Sequence, residues 1–311
     1  MDKAYTKENF TFPSSFDNKS IHAVIYRPTN EVKGLVQIIH GYAEHIGRYR
    51  KFMKILANQG YVVFGDDHLG HGLTAETDAE LSEVGSYNVL IPMLDDEKEL
   101  NHLVRSQYNP DLPCAILGHS MGSLMLRGLL GLYPDICDKA IIMGTGDMTP
   151  ALLKVFSAIL SILSTFQPGS YRSKLINKLA IGKNNSSFKS GNTGNEWLSL
   201  NNKNVKHYSK DPLCGHPGSL HTFRFLQQLM SLIRKPEHLQ NMKKDLPLLF
   251  LSGEQDAFGD FGKGVKKVIH LFEDAGMNNI QSIFYPKMRH EILKEKNYRL
   301  VIKDILDFLN D

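Results

Sequence analysis

The chain has no apolar run long enough to cross a bilayer, so no membrane-spanning helix is expected. Its start, Met1-Asp2-Lys3-Ala4-Tyr5-Thr6-Lys7-Glu8, has no apolar segment of the kind a secretory signal carries. Cysteine is scarce: Cys114, Cys137 and Cys214 are an odd number without metal-ligand spacing, and reduced thiols in a cytoplasmic protein are the expectation. The formal net charge is only +3, too small to point to nucleic acid. Internal repeats and low-complexity tails are absent. What remains is a chain of 311 residues, 42% hydrophobic, ample for one large core or for a core with an inserted subdomain.

The most informative stretch is Gly118-His119-Ser120-Met121-Gly122. Before it, Pro113-Cys114-Ala115-Ile116-Leu117 is a short apolar run of strand type. After it, the apolar spacing from Ser123 to Tyr133 is helical. A G-x-S-x-G between strand and helix places the serine on a sharp, strained turn, and small neighbours let strand and helix approach. The helix start aims free N–H groups at any oxyanion that develops there.

Taken in order, residues 9–12 and 20–26 read as two strands around the turn Asp17-Asn18-Lys19. Leu35–His40 is a buried-type strand that runs into His40-Gly41-Tyr42. A helix is expected around Tyr49, Phe52, Met53 and Leu56, then a strand at Tyr61–Phe64, a helix over 88–107, the Ser120 unit, and a strand at Lys139–Met143. Such alternation predicts an α/β fold with a mostly parallel sheet covered by helices on both faces. The pattern breaks at 147 and resumes at Leu246–Ser252, followed by a helix at Lys263–Ala275, a strand at Ile280–Tyr285 and a helix at Tyr298–Leu309. A stretch of that length must carry its own structure. The expected division is core 1–146, a mainly helical cap inserted at 147–240, and core again at 241–311.

A serine hydroxyl needs a base to become a nucleophile. After a strand–turn–helix serine of this kind, the acid and then the histidine follow in chain order. Of the histidines after residue 240, His270 falls inside a helix, whereas His290 lies past the last strand. Glu254, Asp256 and Asp260 compete as the acid on the turn after the strand ending at Ser252, and Asp256 has the best reach. Ser120, Asp256 and His290 are thus the candidate catalytic residues. The oxyanion donors expected are the N–H groups of Met121 and Tyr42. His40, His45, His68 and His71 with Asp67 crowd Gly-rich loops, but their spacing fits no zinc motif. Hydrogen bonds that fix those loops are the expected role; no metal and no cofactor are expected.

Five motifs in order, His40-Gly-Tyr-Ala-Glu-His-Ile-Gly-Arg-Tyr49, Asp67-His-Leu-Gly-His-Gly72, Gly118–Gly122, Gly253-Glu-Gln-Asp256 and Arg289-His-Glu-Ile-Leu293, resemble the monoacylglycerol lipase and lysophospholipase group of the α/β-hydrolase fold. Within the insertion, Thr193–Ser199 and Asp211–Gly215 are similar to bacterial lysophospholipase-like members. The resemblance covers residues from about 30 to the end. It implies the α/β-hydrolase fold, a Ser120–Asp256–His290 triad and an oxyanion hole from Tyr42 and Met121. Ser123 stands where relatives have a second glycine, and Gly72 is followed by Leu73-Thr74 rather than by a residue and serine. Neither departure touches the triad.

Residues 151–166 are apolar on more than one face, as befits a helix that is buried, lines an apolar site or meets lipid. Residues 147–240 hold twelve Lys and Arg against four Asp and Glu, a net of +8. Lys174, Lys178 and Lys183 flank an apolar segment there, and such a surface suits anionic headgroups. The expectation is a serine carboxylic ester hydrolase cleaving monoacyl lipid esters, in the cytoplasm, with transient contact at a lipid surface and no obligate protein partner. The alternatives are a small-ester esterase or peptidase on the same triad, and a non-catalytic binding protein on the same fold.

Overall fold

The computed structural model describes residues 4–17, 19–188 and 193–311, the Lys183 side chain excepted. Asn18, the middle of the expected first turn, lies outside the described residues. Eight strands form one sheet in the order β1-β2-β4-β3-β5-β6-β7-β8. They are β1 (Tyr5–Pro13), β2 (Ser20–Pro28), β3 (Gly34–Ile39), β4 (Tyr61–Asp66), β5 (Cys114–His119), β6 (Lys139–Met143), β7 (Leu248–Gly253) and β8 (Ile280–Tyr285). β2 runs antiparallel to both neighbours, and every pairing from β4 through β8 is parallel. β3, β4, β5 and β7 are buried along their whole length, which explains their unbroken apolar runs.

Side chains alternate across the sheet and feed two cores. Cys114 and Ile116 of β5 face helices α2 (Leu90–Arg105) and α3 (Met121–Leu132). Ala115 and Leu117 face the side covered by α1 (Arg50–Asn58) and α10 (Tyr298–Asn310). α9 (Lys263–Asp274) closes the α2–α3 side with Val265, Val268 and Phe272.

Between β6 and β7 the described residues form helices: α4 (Pro150–Phe166), α5 (Lys174–Ala180), α6 (Asn202–Lys210), α7 (Leu220–Leu232) and α8 (Pro236–Asn241), with short 3-10 turns. Thr149 and Ser173 cap α4 and α5 with their side-chain oxygens. α4 buries Leu153, Phe156 and Leu160 and leaves Leu152, Val155, Ile162 and Phe166 exposed, the last by 77%. α7 and α8 differ from the rest of this stretch. Phe225, Leu229, Ile233 and Leu239 join the main core beneath α3, so its C-terminal end is continuous with the sheet layer.

Candidate active site

The candidate residues sit at the C-terminal ends of neighbouring parallel strands, where open α/β sheets gather their ligands. Ser120 links β5 to α3 with φ 55° and ψ −119°, a left-handed conformation that a side-chain-bearing residue holds only under constraint. The constraint is steric. A Cβ on Gly122 would stand 2.1 Å from the Ile39 carbonyl oxygen, and one on Gly118 would stand 2.3 Å from that of Gly122. Only hydrogen at both positions allows strand, turn and helix to pack this closely. The Ser120 N–H donates to the Met143 carbonyl oxygen at 3.0 Å, tying the turn to β6.

His290 lies on the loop after β8 and Asp256 on the turn after β7. His290 Nδ1 and Asp256 Oδ2 are 2.9 Å apart, and both residues are buried. The competing acids Glu254 and Asp260 face solvent. Asp256 Oδ1 accepts the Phe258 N–H at 2.9 Å, which fixes the carboxylate plane. Burial pushes the His290 imidazole down, but the Asp256 carboxylate overrides it and raises the pKa above the ordinary histidine value. With Nδ1 committed to Asp256, Nε2 is the free nitrogen; it is buried and makes no hydrogen bond. The ring is held between Trp197, 4.7 Å away between centroids, and Phe258 at 5.4 Å.

The His40-Gly41-Tyr42 loop lies against the nucleophile, since a Cβ on Gly41 would come within 3.1 Å of the Ser120 Cβ. The Tyr42 hydroxyl donates to the His216 carbonyl oxygen at 3.1 Å, and the Gly215 N–H donates to the Ala43 carbonyl oxygen at 2.9 Å. Both bonds tie this loop to the 147–240 stretch. Ser120, Met121, Tyr42 and His290 all line one cavity of about 400 Å³, whose remaining wall is largely apolar and includes Leu124, Phe156, Ile181, Trp197, Phe223 and Met230. That volume and character suit a small organic ligand with a long apolar part.

Glu44 and Glu291, which also line the cavity, belong to an ionic unit that sequence reasoning did not find. The Arg48 guanidinium is shared by Glu44 and Glu291, and the three side chains are 4–8% exposed. Asn204 donates to Glu291 as well. Glu44 Oε1 also accepts from the Gly41 N–H and from the Tyr49 hydroxyl, each at 2.8 Å, so the unit reaches the loop facing Ser120. Burial alone would raise the Glu44 carboxyl, yet Arg48 and then His119 hold it well below the usual carboxylate range; burial likewise opposes Arg48 at Glu291, where Arg48 prevails and lowers the carboxyl. The local signal was the Glu44–Arg48 spacing of one helical turn together with a glutamate next to His290.

The histidine-rich loops are fixed as the sequence suggests. His40 Nδ1 donates to the Gly41 carbonyl oxygen at 2.8 Å, and Asp67 accepts from the N–H groups of Ile46 and Leu73 at 2.8 and 2.9 Å. His45 Nε2 and Asp211 Oδ2 are 3.0 Å apart and join the β3–α1 loop to the end of α6.

Residues 30–297 match the Hydrolase_4 family, described as serine aminopeptidase S33. Rat monoglyceride lipase is 27% identical over 297 residues, covering 90% of this chain and 86% of that protein. The monoacylglycerol lipase of Mycolicibacterium smegmatis is 24% identical over 92% of this chain and 91% of its own. Among solved structures, a thermostable carboxyl esterase from Bacillus coagulans in complex with glycerol superposes with a TM-score of 0.90 at 28% identity, covering 98% of both chains. No described helix is long and apolar enough to cross a membrane. A mostly parallel sheet with one reversed strand, a strained serine turn and matches along nearly the whole length point the same way: the chain belongs to the Hydrolase_4 family, in the lipase and esterase group of the α/β-hydrolases that includes the monoglyceride lipases.

Proposed function

We propose that the chain hydrolyses monoacyl lipid esters, a monoacylglycerol or a lysophospholipid, through an acyl-enzyme on Ser120. The observation that carries the reading is the apolar cavity of about 400 Å³ that Ser120 and His290 both line. In this scheme His290 Nε2 takes the Ser120 hydroxyl proton as Oγ attacks the ester carbonyl carbon. The carbonyl oxygen becomes negative and is met by the N–H groups of Tyr42 and Met121. His290 then gives its proton to the departing alkoxide, which leaves as the glycerol-bearing alcohol. Water, deprotonated by His290, attacks the acyl-enzyme, and the fatty acid leaves as the proton returns to Ser120 Oγ. Asp256 keeps the imidazole in one tautomer and stabilises the imidazolium. The scheme calls on no cofactor. The monoglyceride lipases and the glycerol-binding esterase among the relatives support this substrate class.

In this reading residues 147–240 cap the core formed by 1–146 and 241–311, and the acyl chain lies between cap and core. For p-nitrophenyl esters, kcat/KM is expected to rise from acetyl to medium chains by roughly fourfold per methylene, or about 0.8 kcal/mol for each CH₂ buried, until the cavity is full. A flat or falling series would favour the small-ester or peptidase alternative.

The exposed apolar side of α4 and the exposed Leu175 and Leu179 of α5 form, in this reading, the surface that touches lipid. Lys154 and Lys174 are exposed beside it. Turnover of substrate in anionic vesicles is expected to exceed that in neutral ones and to lose the advantage between 0.1 and 1 M salt, as the Debye length falls from about 10 to about 3 Å. Ile162→Ser with Phe166→Ser should reduce vesicle turnover and leave a soluble short ester untouched. Indifference to lipid charge, salt and both substitutions would remove the lipid-surface part of the proposal. Lys178 lines the cavity itself and is therefore unsuited to this comparison.

A further inference from the structure

One short turn between α5 and α6 is built onto the candidate base. Glu196, Trp197 and Leu198 form this buried 3-10 turn, and the loop Arg289-His290-Glu291 lies against it. The Arg289 guanidinium donates to the Glu196 carbonyl oxygen, and the Glu291 N–H donates to the Leu198 carbonyl oxygen at 2.7 Å. These two bonds flank a single ring pair. The Trp197 indole and the His290 imidazole are 4.7 Å apart between centroids and inclined by 36°, nearer stacked than edge-on. Both residues are buried.

The turn is itself tied down. The Glu196 carboxylate accepts the Thr193 N–H at 2.8 Å and the Asn185 side-chain amide at 2.9 Å, and Asn185 Oδ1 accepts the Trp197 N–H at 2.9 Å. Glu295 Oε1 accepts the Leu200 N–H at 2.8 Å and the Arg289 N–H at 3.0 Å, a third tie between turn and loop. That much bonding around three residues fixes one large side chain and presents it to His290. The groups that carry charge or titrate around the imidazole are few. Asp256 meets Nδ1, Glu291 and Arg289 are its neighbours in the chain, and Glu44 approaches from the loop after β3 with Arg48 between the two glutamates. From the Ser120 turn, the His119 ring lies 4.8 Å away between centroids, and its Nε2 donates to the His290 carbonyl oxygen at 3.3 Å.

We propose that Trp197 is a positioning residue for His290, its indole steadying the imidazole and stabilising the imidazolium that forms when Ser120 gives up its proton. The proposal rests on the hydrolase reading above. A cation within about 6 Å of an indole centroid is attracted by the ring quadrupole, and more strongly where water is excluded. A neutral imidazole gains far less. The attraction therefore grows as the base takes its proton, and an interaction stronger in the transition state than in the ground state lowers the barrier. Asp256 sets the tautomer; Trp197 favours the charged ring without bringing a second carboxylate onto it. The indole also lines the cavity, so the chain between β6 and β7 supplies both a wall for the ligand and a support for the base.

Trp197 is the chain's single tryptophan, so its emission can be read without interference from another indole. A protonated imidazole in contact with an indole quenches its fluorescence. In the full-length protein the emission should therefore fall on acidification, with the midpoint of the acid limb of kcat/KM. His290→Gln should abolish that transition, and Asp256→Asn should move it to lower pH. With p-nitrophenyl acetate, too short to use the apolar wall, Trp197→Leu should lower kcat roughly tenfold with KM little changed and move the acid limb down by about one pH unit. Trp197→Phe keeps a π face and should restore most of both. Emission that is flat across the limb would overturn the proposal, as would a transition that survives His290→Gln and so belongs to His119, Glu44 or Glu291. A limb that stays in place or rises in Trp197→Leu would overturn it too, as the mark of a side chain that only fills space. The wild-type fluorescence needs no substrate and stands even if Trp197→Leu fails to fold. Esters left uncleaved beside an intact transition would refute the hydrolase reading and still support the pairing of Trp197 with His290.

Discussion

Ser120→Ala is expected to lower kcat/KM for a p-nitrophenyl ester by about 10⁴-fold or more, His290→Ala to do the same, and the double variant to be scarcely worse. The reason lies in the division of labour. In the proposed scheme Ser120 supplies the attacking oxygen and Nε2 of His290 the base, Nδ1 being 2.9 Å from Asp256. Removing either ends the same step, so the losses do not multiply. Independent losses would show that the two residues serve different reactions. Asp256→Asn adds a test with a sign. His290 must be neutral to act as a base, and Asp256 raises its pKa, so the acid limb of the wild-type pH profile should lie above the ordinary histidine value. In Asp256→Asn the limb should move to lower pH while kcat falls by about 10⁴-fold, because the imidazole loses its fixed tautomer. A limb that stays in place would remove Asp256 from its assigned role, and Asp260→Asn would then be the variant to measure. Labelling by a fluorophosphonate should require Ser120 and His290 together; a chain that does not label at all would be a binding protein.

Arg48→Met should destabilise the fold by about 3–5 kcal/mol, the loss that follows when one partner of a buried ionic group is removed. Glu44 and Glu291 would be left as buried carboxylates without their cation. In a protein whose net stability is about 5–15 kcal/mol that is a large share, and Tm should fall by on the order of 10 °C. The pH dependence follows from the depressed carboxyl pKa values. The stabilisation they contribute is fully present above the ordinary glutamate pKa and disappears as pH falls through the lower, folded-state values. The variant lacks it, so the gap between the two proteins should be widest at neutral pH and narrow on acidification, as the orphaned carboxyls take up protons. Urea unfolding at pH 7.5 and at pH 5 measures both gaps. Equal gaps, or a loss under about 1 kcal/mol, would mean that water already serves these groups.

The sheet and the candidate triad were legible for different reasons. The Ser120 turn is a local pattern in which strand, glycines and helix all lie within a short window. The strand–helix alternation gave β3 to β8 nearly to the residue. β1 was read too short, because an edge strand with mostly exposed side chains has little hydrophobic period, and its nine residues are defined by pairing with β2. The choice among Glu254, Asp256 and Asp260 rested on reach along the turn; in the folded chain Asp256 alone of the three is turned inward, onto His290. Of the Glu44–Arg48–Glu291 unit only the Glu44–Arg48 half shows in spacing, since Glu291 comes from the opposite end of the chain. The pairing of His68 with Glu97 was not legible either, since α2 brings Glu97 to that loop from well downstream. The continuity of α7 and α8 with the core was missed because their amphipathic faces do not say which layer they meet.

That continuity bears on how the protein could diversify. β6 and β7 are direct parallel partners, Ile141 opposite Leu249, although the whole insertion separates them along the chain. Closing a flexible loop costs only about 0.6 kcal/mol more for each doubling of its length, so the sheet is nearly indifferent to how much chain leaves after β6 and returns before β7. α7 and α8, packed on α3, form the returning anchor. The segment from α4 to α6 is then a replaceable module: it can lengthen, shorten or change its chemistry while the strand ends that carry Ser120, Asp256 and His290 keep their places. Recombination between relatives at the start of α4 and the start of α7 would exchange that module and leave the candidate triad in place.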